Sequence, residues 1–242
     1  LLGFMIGGFL SSFFGYKTLF LIITIIMVII SLFSISLPTI YTPEAQKVKI
    51  KEELKTFFRL ITNKRLIAPY LSIIIVFFNL GIITASYTIF LKIYEYSDSQ
   101  IGMVLGIMVI FSILINYPAG KLGDKIGKVK VLLVGLCLCS VGFLMLLSPS
   151  IPFPYVGMAI FGLGHGCVFP ISAGIVRDES SLKNRGLATG IFYALNVAGI
   201  AIGSPISGVV VELFNFEAAL LLGTFLPVIF CILFIISYRS RP

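Results

Sequence analysis

Charge is what this 242-residue chain has least of, and its distribution matters more than its scarcity. Only 12% of the residues are charged, and no Lys, Arg, Asp or Glu falls in the middle of any complete apolar run. A charge at the centre of a bilayer costs about 2.5–3.5 kcal/mol on insertion scales, so one that persists there usually serves a function. Its absence excludes from these runs a carboxylate for proton coupling and a fixed counter-charge for a strongly charged ligand. Histidine occurs once, at His165. An intramembrane protease or lipid transferase needs paired acids, or a His and Glu cluster around a metal. The chain is therefore not expected to be an enzyme, and no cofactor or metal is expected. Cys137, Cys139, Cys167 and Cys231 lie in apolar stretches without metal-ligand or redox spacing, and read as small packing residues. The first residue is Leu1, with no charged segment before the first apolar run. A signal peptide is not expected, and the chain reads as an N-terminally truncated fragment.

What is abundant is apolar surface. The chain is 58% hydrophobic with a mean hydropathy of +1.10, against roughly 45–50% apolar content in soluble domains. Lipid must be part of the solvent, and the expected fold is all-α, a polytopic membrane helix bundle. A spanning helix needs about 20 mainly apolar residues. The chain offers a partial span at 1–13 and full spans near 17–38, 67–91, 99–117, 131–147, 153–176, 187–211 and 218–238. Turn signals separate them, among them Pro118, Ser148-Pro149-Ser150-Ile151-Pro152 and Asn215-Phe216-Glu217.

The net charge of +8 sits in short segments between apolar runs, so it reads as topology and no nucleic-acid partner is expected. Seven basic residues lie in 39–66, four in the loop after Pro118, three at Arg177, Lys183 and Arg185, and two at Arg239 and Arg241; Lys17 and Lys92 alone lie on the other side. The positive-inside rule then makes the basic loops and the C-terminus cytoplasmic, in a multi-pass protein of the cell (inner) membrane. Within 39–66, Ile50, Leu54, Phe57, Phe58 and Ile61 recur at helical spacing among basic residues, after a Thr42-Pro43-Glu44 start signal. This predicts a basic amphipathic helix on the cytoplasmic leaflet.

Residues 3–22 and 203–222 resemble one another at an offset of 200, glycines and turn position included. The likeness suggests two related halves. With the complete second half starting near 66, roughly 140 residues would be missing from the N-terminus of a protein with about 400 residues and twelve spans.

Gly120-Lys121-Leu122-Gly123-Asp124-Lys125-Ile126-Gly127-Lys128-Val129-Lys130 resembles the loop signature of the major facilitator superfamily, Gly-x-Leu-Ala-Asp-Arg-x-Gly-Arg-Arg, with Gly123 in place of alanine and lysines in place of arginines. Counting spans from the C-terminus puts it between helices 8 and 9. The resemblance implies that 1–38 is the end of helix 5 and helix 6 of a first half, that 39–66 is the central cytoplasmic loop, and that 67–242 is the second six-helix half. It also implies secondary transport by alternating access, with a small molecule, the bilayer and a coupling proton as partners, in a monomer. Gly120, Leu122, Asp124, Lys125, Gly127, Lys128 and Lys130 would form a cytoplasmic gate, with Arg177 as a second partner for Asp124; the plainer reading is a positive-inside anchor. Gly3-Phe4-x-x-Gly7-Gly8 resembles the tail of the helix 5 antiporter motif, with Phe4 where proline is expected. It favours export.

Four neutral polar residues are the cavity candidates: Asn79, His165, Tyr193 and Asn196. Each has a plainer alternative as a packing or interhelical hydrogen-bonding group. In the superfamily helices 7 and 10 line the central cavity, which would put Asn79 and His165 there. Asn116 and Tyr117, next to Pro118, read as gate or capping residues. The function expected is proton-coupled efflux of a neutral or amphipathic, drug-like compound; uptake of a sugar or small metabolite, and a non-transporting membrane sensor or scaffold, are the alternatives.

Overall fold

The computed structural model describes the backbone of residues 2–35 and 50–239. Among them every regular element is helical: α1 (Leu2–Ile35), α2 (Ile50–Ile61), α3 (Ile67–Ile82), a π-helical turn (Ile83–Tyr87), α4 (Thr88–Ile93), α5 (Asp98–Ile126), α6 (Lys128–Met145), α7 (Phe153–Glu179), a 3-10 turn (Leu182–Asn184), α8 (Arg185–Leu213) and α9 (Phe216–Arg239). Seven stretches among the described residues are long and apolar enough to cross a membrane, with Ile67–Ile93 counting as one. They match the seven full spans expected, and the chain is a multi-pass membrane protein.

Local chemistry sets the ends. Ser97 caps α5 by accepting from the Gln100 N–H at 3.3 Å, while Gln100 Oε1 accepts from the Ser97 N–H at 2.9 Å, the reciprocal arrangement that satisfies two orphan donors. α1 is bent at Gly15, whose φ of 73° suits a residue without Cβ. At the offset of 200 this bend falls opposite the break between Leu213 and Phe216 that ends α8.

One boundary differs from expectation. The helix expected to stop at Pro118 runs on to Ile126 with Pro118 inside it. Proline removes one N–H and crowds the carbonyl four residues back, a defect that membrane helices tolerate because neighbours re-satisfy the freed group. The basic loop therefore shrinks to a single residue, Gly127, at φ 102°. Most of the motif is helix.

α7 packs between α5 and α6, α3 lies along α8, α6 along α9, and α1 along α5. Met108, Leu132, Leu136, Phe143 and Phe161 form the sealed interior. Cys139, Cys167 and Cys231 are buried there, whereas Cys137 is exposed. Backbones approach closely at two seams. A Cβ on Gly142 would lie 2.6 Å from Phe161 N, and one on Gly81 would lie 2.8 Å from Ser204 N; small residues are how membrane helices gain packing area. Beside Gly81, the Ser86 hydroxyl donates to Ser207 Oγ (2.8 Å), Ser207 donates to Ser204 O (2.8 Å), and Ser204 donates to Gly81 O (3.3 Å). At the same end of the bundle Lys92 lies 2.5 Å from Asp98, which also accepts from the Tyr16 hydroxyl at 2.9 Å.

α2 rests against the opposite end. Phe57, Leu60 and Ile61 pack with Ala188, Ile191 and Phe192 of α8, while Leu54 and Phe58 stay exposed. The expected start signal at Thr42-Pro43-Glu44 lies outside the described residues.

Candidate functional site

A cavity of about 740 Å³ opens between α3, α5, α7 and α8. α5 contributes Val109, Ser112, Ile113 and Asn116, at i, i+3, i+4 and i+7, so one stripe of the helix faces it. α7 contributes His165 and Phe169, α8 contributes Tyr193, Asn196 and Val197, and α3 contributes Phe77. Counting from the helix ends at Ile67, Ile126, Glu179 and Arg185, these residues lie about 12–26 Å in from the basic end at 1.5 Å per residue. That depth is mid-bundle.

His165 is the cavity's pivot. It is 4% exposed, its Nδ1 lies 3.0 Å from Ser112 Oγ, and its Nε2 has no hydrogen-bond partner. Its ring stacks on Phe169, with centroids 6.2 Å apart and planes 8° from parallel, and Phe77 meets it at 5.4 Å with the rings tilted by 49°. Tyr193 extends the aromatic wall, 6.4 Å from Phe169. Asn116 Oδ1 and Asn196 Oδ1 also lack partners. None of the lining residues is charged, so the cavity offers stacking faces and neutral hydrogen-bonding groups.

Asn79 does not line this cavity. It is fully buried against α9, where its Nδ2 donates to Gly223 O at 3.0 Å. Asn116, expected at the gate, lies in the cavity instead, because α5 continues past Pro118 and Asn116 is mid-helix. Its neighbour Tyr117 is 78% exposed.

At the basic end Lys128, the first residue of α6, joins two helix termini. Its Nζ donates to the Asp178 carboxylate of α7 and lies 3.7 Å from Asp124 Oδ1 of α5. Arg177 does not reach Asp124; its Nε donates to Asp178 at 3.3 Å. The chain turn leaves Asp124 on the α6 side, where Lys128 is its i+4 neighbour. Arg65 adds a pair with Glu179 at 3.2 Å. Leu122, Lys125 and Lys130 are exposed. Gly127 makes the turn, but a Cβ on Gly120 would meet nothing within 4 Å. The close approach belongs to Gly123, which a Cβ would press into the Ile171 side chain. Gly3, Gly7 and Gly8 lie on α1, and their surroundings fall outside the described residues.

A family model of the Major Facilitator Superfamily matches residues 69–242. The chain belongs to that superfamily. Over 151 residues it is 25% identical to the quinolone resistance protein NorA of Staphylococcus aureus (strain MRSA252), a match covering 62% of this chain and 39% of that protein. Over 163 residues it is 26% identical to multidrug resistance protein 2 of Bacillus subtilis (strain 168), covering 67% of this chain and 38% of that one. The chain thus spans about two fifths of the length of the curated relatives it matches. Among solved structures, the nucleoside transporter NupG superposes with a TM-score of 0.77 over 96% of this chain and 64% of its own, at 20% identity. At that identity the shared property is the superfamily fold.

Within that fold, the structure brings His165, Tyr193 and Asn196 to one cavity and leaves Asn79 out. It adds Ser112 and Asn116, which the sequence reading missed or misplaced, and Asp178, which it did not single out. The signal for the first two was the i, i+3, i+4, i+7 stripe on α5.

Proposed function

We propose that this chain is the second-half portion of a secondary transporter that exports a small neutral or amphipathic molecule by alternating access, driven by protons. In this reading residues 1–38 end a first half, 39–66 join the halves, and 67–242 are the second half. The 740 Å³ cavity is one wall of the substrate site, and the observation that carries the reading is its composition: aromatic faces, neutral polar groups and no charge at mid-bundle depth. That combination suits an uncharged or amphipathic ligand, and the likeness to two proteins named for drug resistance supports export. The nearest alternative is uptake of a sugar or small metabolite.

The basic end is taken as cytoplasmic on the positive-inside rule. There Lys128, Asp124, Asp178 and Arg177 form the gate latch, opening when α5 and α6 move relative to α7. α2 sets its exposed Leu54 and Phe58 on the cytoplasmic leaflet.

The test is flux through the full-length protein in inverted vesicles, with and without a proton gradient. Uptake of a neutral aromatic compound that collapses when the gradient is dissipated is the expected result. Flux in the opposite orientation alone points to uptake into the cell. Absence of gradient-dependent movement for every compound tried leaves a non-transporting sensor.

A further inference from the structure

Seven buried side-chain atoms among the described residues lack a hydrogen-bond partner, and three of them belong to residues of the one cavity: His165 Nε2, Asn116 Oδ1 and Asn196 Oδ1. His165 and Asn196 are only 4% and 5% exposed. Leaving such atoms unpaired away from water costs about 1–3 kcal/mol each. On neighbouring seams Tyr70 donates to Ala188 O and Ser86 to Ser207, while Asn79 donates to Gly223 O and keeps its own Oδ1 unpaired; the cavity is where three such atoms gather. The cavity wall therefore holds hydrogen-bonding capacity that the protein's own groups leave unused.

The chemistry of these groups narrows what fills it. A carboxamide carries an acceptor and a donor side by side in one plane, and its complement is another adjacent donor and acceptor, such as an N–H beside a C=O; asparagine reads a base edge with two bonds in the same way. Two carboxamides, Asn116 on α5 and Asn196 on α8, line the same cavity. Phe77, Phe169 and Tyr193 line it too, faces on which a flat ring stacks. No lining residue carries a charge to neutralise an anion.

We infer that the cavity selects flat, uncharged heterocycles bearing a lactam-type edge, an N–H next to a C=O in the ring, with that edge on Asn116 and Asn196 and the ring face on the aromatic wall. His165 supplies a third contact. Its Nδ1 is engaged by Ser112, which leaves Nε2 for the ligand. The three atoms are closed off from water here, so docking turns the carboxamides about χ2, a broad and easily rotated torsion. The inference rests on the transporter reading, because it takes the same cavity as the substrate site.

The experiment is calorimetric titration of the full-length protein in lipid nanodiscs with three related probes: 2-quinolinone, N-methyl-2-quinolinone and quinoline-2-carboxylate. The first keeps the edge, the second loses its donor, and the third carries a negative charge. The expected result is binding of 2-quinolinone about tenfold tighter than its N-methyl form, the worth of one good hydrogen bond, with the carboxylate weakest. Asn196→Leu should bring the two neutral probes to equal affinity, and Asn116→Leu serves as the second variant if the first fails to fold. Equal binding of the neutral probes by the unsubstituted protein, no binding of either, or a preference that survives both variants overturns the inference. Gradient-driven flux of some other compound alongside such a failure leaves the transporter reading standing. A clear N–H preference with no gradient-driven flux of any compound does the reverse.

Discussion

Two polar clusters on the α3–α8 side of the bundle, at different depths, behave in opposite ways. Toward the end away from the basic loops, Ser86, Ser207 and Ser204 hand hydrogen bonds along a short ladder that ends on backbone carbonyls, and nothing in it is left over. Nearer the basic end, Asn196 lines the cavity with its carbonyl oxygen unpaired, and Asn116 Oδ1 and His165 Nε2 from the other helices are unpaired as well. In hydrocarbon the first arrangement is what stability demands. The second is expensive unless something else completes it. In the proposed reading, the first set holds helices together and the second is set aside for a ligand.

That comparison can be broken from its stable side first. Gly81→Val forces a side chain into the backbone of Ser204 and Ile200, 2.8 and 2.9 Å from its Cβ, and should cost about 3 kcal/mol through overpacking. The readout is a marked drop in thermal midpoint and folded yield of the full-length protein. Next in size is Asn116→Leu, which removes an unpaired buried acceptor. It should weaken substrate affinity about fivefold, near 1 kcal/mol, while the thermal midpoint holds or rises. A fall in midpoint with unchanged affinity would move Asn116 to the packing class. Ser207→Ala should do the opposite on a smaller scale, losing about 0.6 kcal/mol of stability, the average for interhelical hydrogen bonds in a membrane protein, with flux intact. The smallest effect on transport is expected at Asn79→Leu. Its side chain serves α9 through Gly223, so the substrate concentration giving half-maximal flux should not change; a larger shift there than at Asn116 would reverse the assignment of both.

The spans were legible because a bilayer imposes a length on every apolar run, and seven runs of that length are hard to misread. Pro118 misled because proline is a strong stop in water and a weak one in a packed membrane helix. The cavity was half legible. His165, Tyr193 and Asn196 stand out as polar groups inside apolar runs, but the same signal picked Asn79, whose face of the helix turns toward α9. Polarity marks a residue as worth attention; only the neighbouring helices decide which way it points. Ser112 gave no such signal, since a serine in a span ordinarily bonds its own backbone one turn back, as Ser72 and Ser140 do here. At the basic end the sequence identified Asp124 and Arg177 but paired them with each other. Lys128, placed by the turn between both acids, takes that position.

The turn at Gly127 has a mechanical meaning of its own. A connector of one residue leaves only its φ and ψ as soft torsions between α5 and α6, here 102° and 130°. Two long rods joined by so short an elbow cannot slide past each other or drift apart; they can only swing and roll about a fixed point. Any tilt of α5 is therefore delivered to α6 as a crank delivers it, and Lys128, the first residue beyond the elbow, is carried against or away from Asp178 by that same stroke.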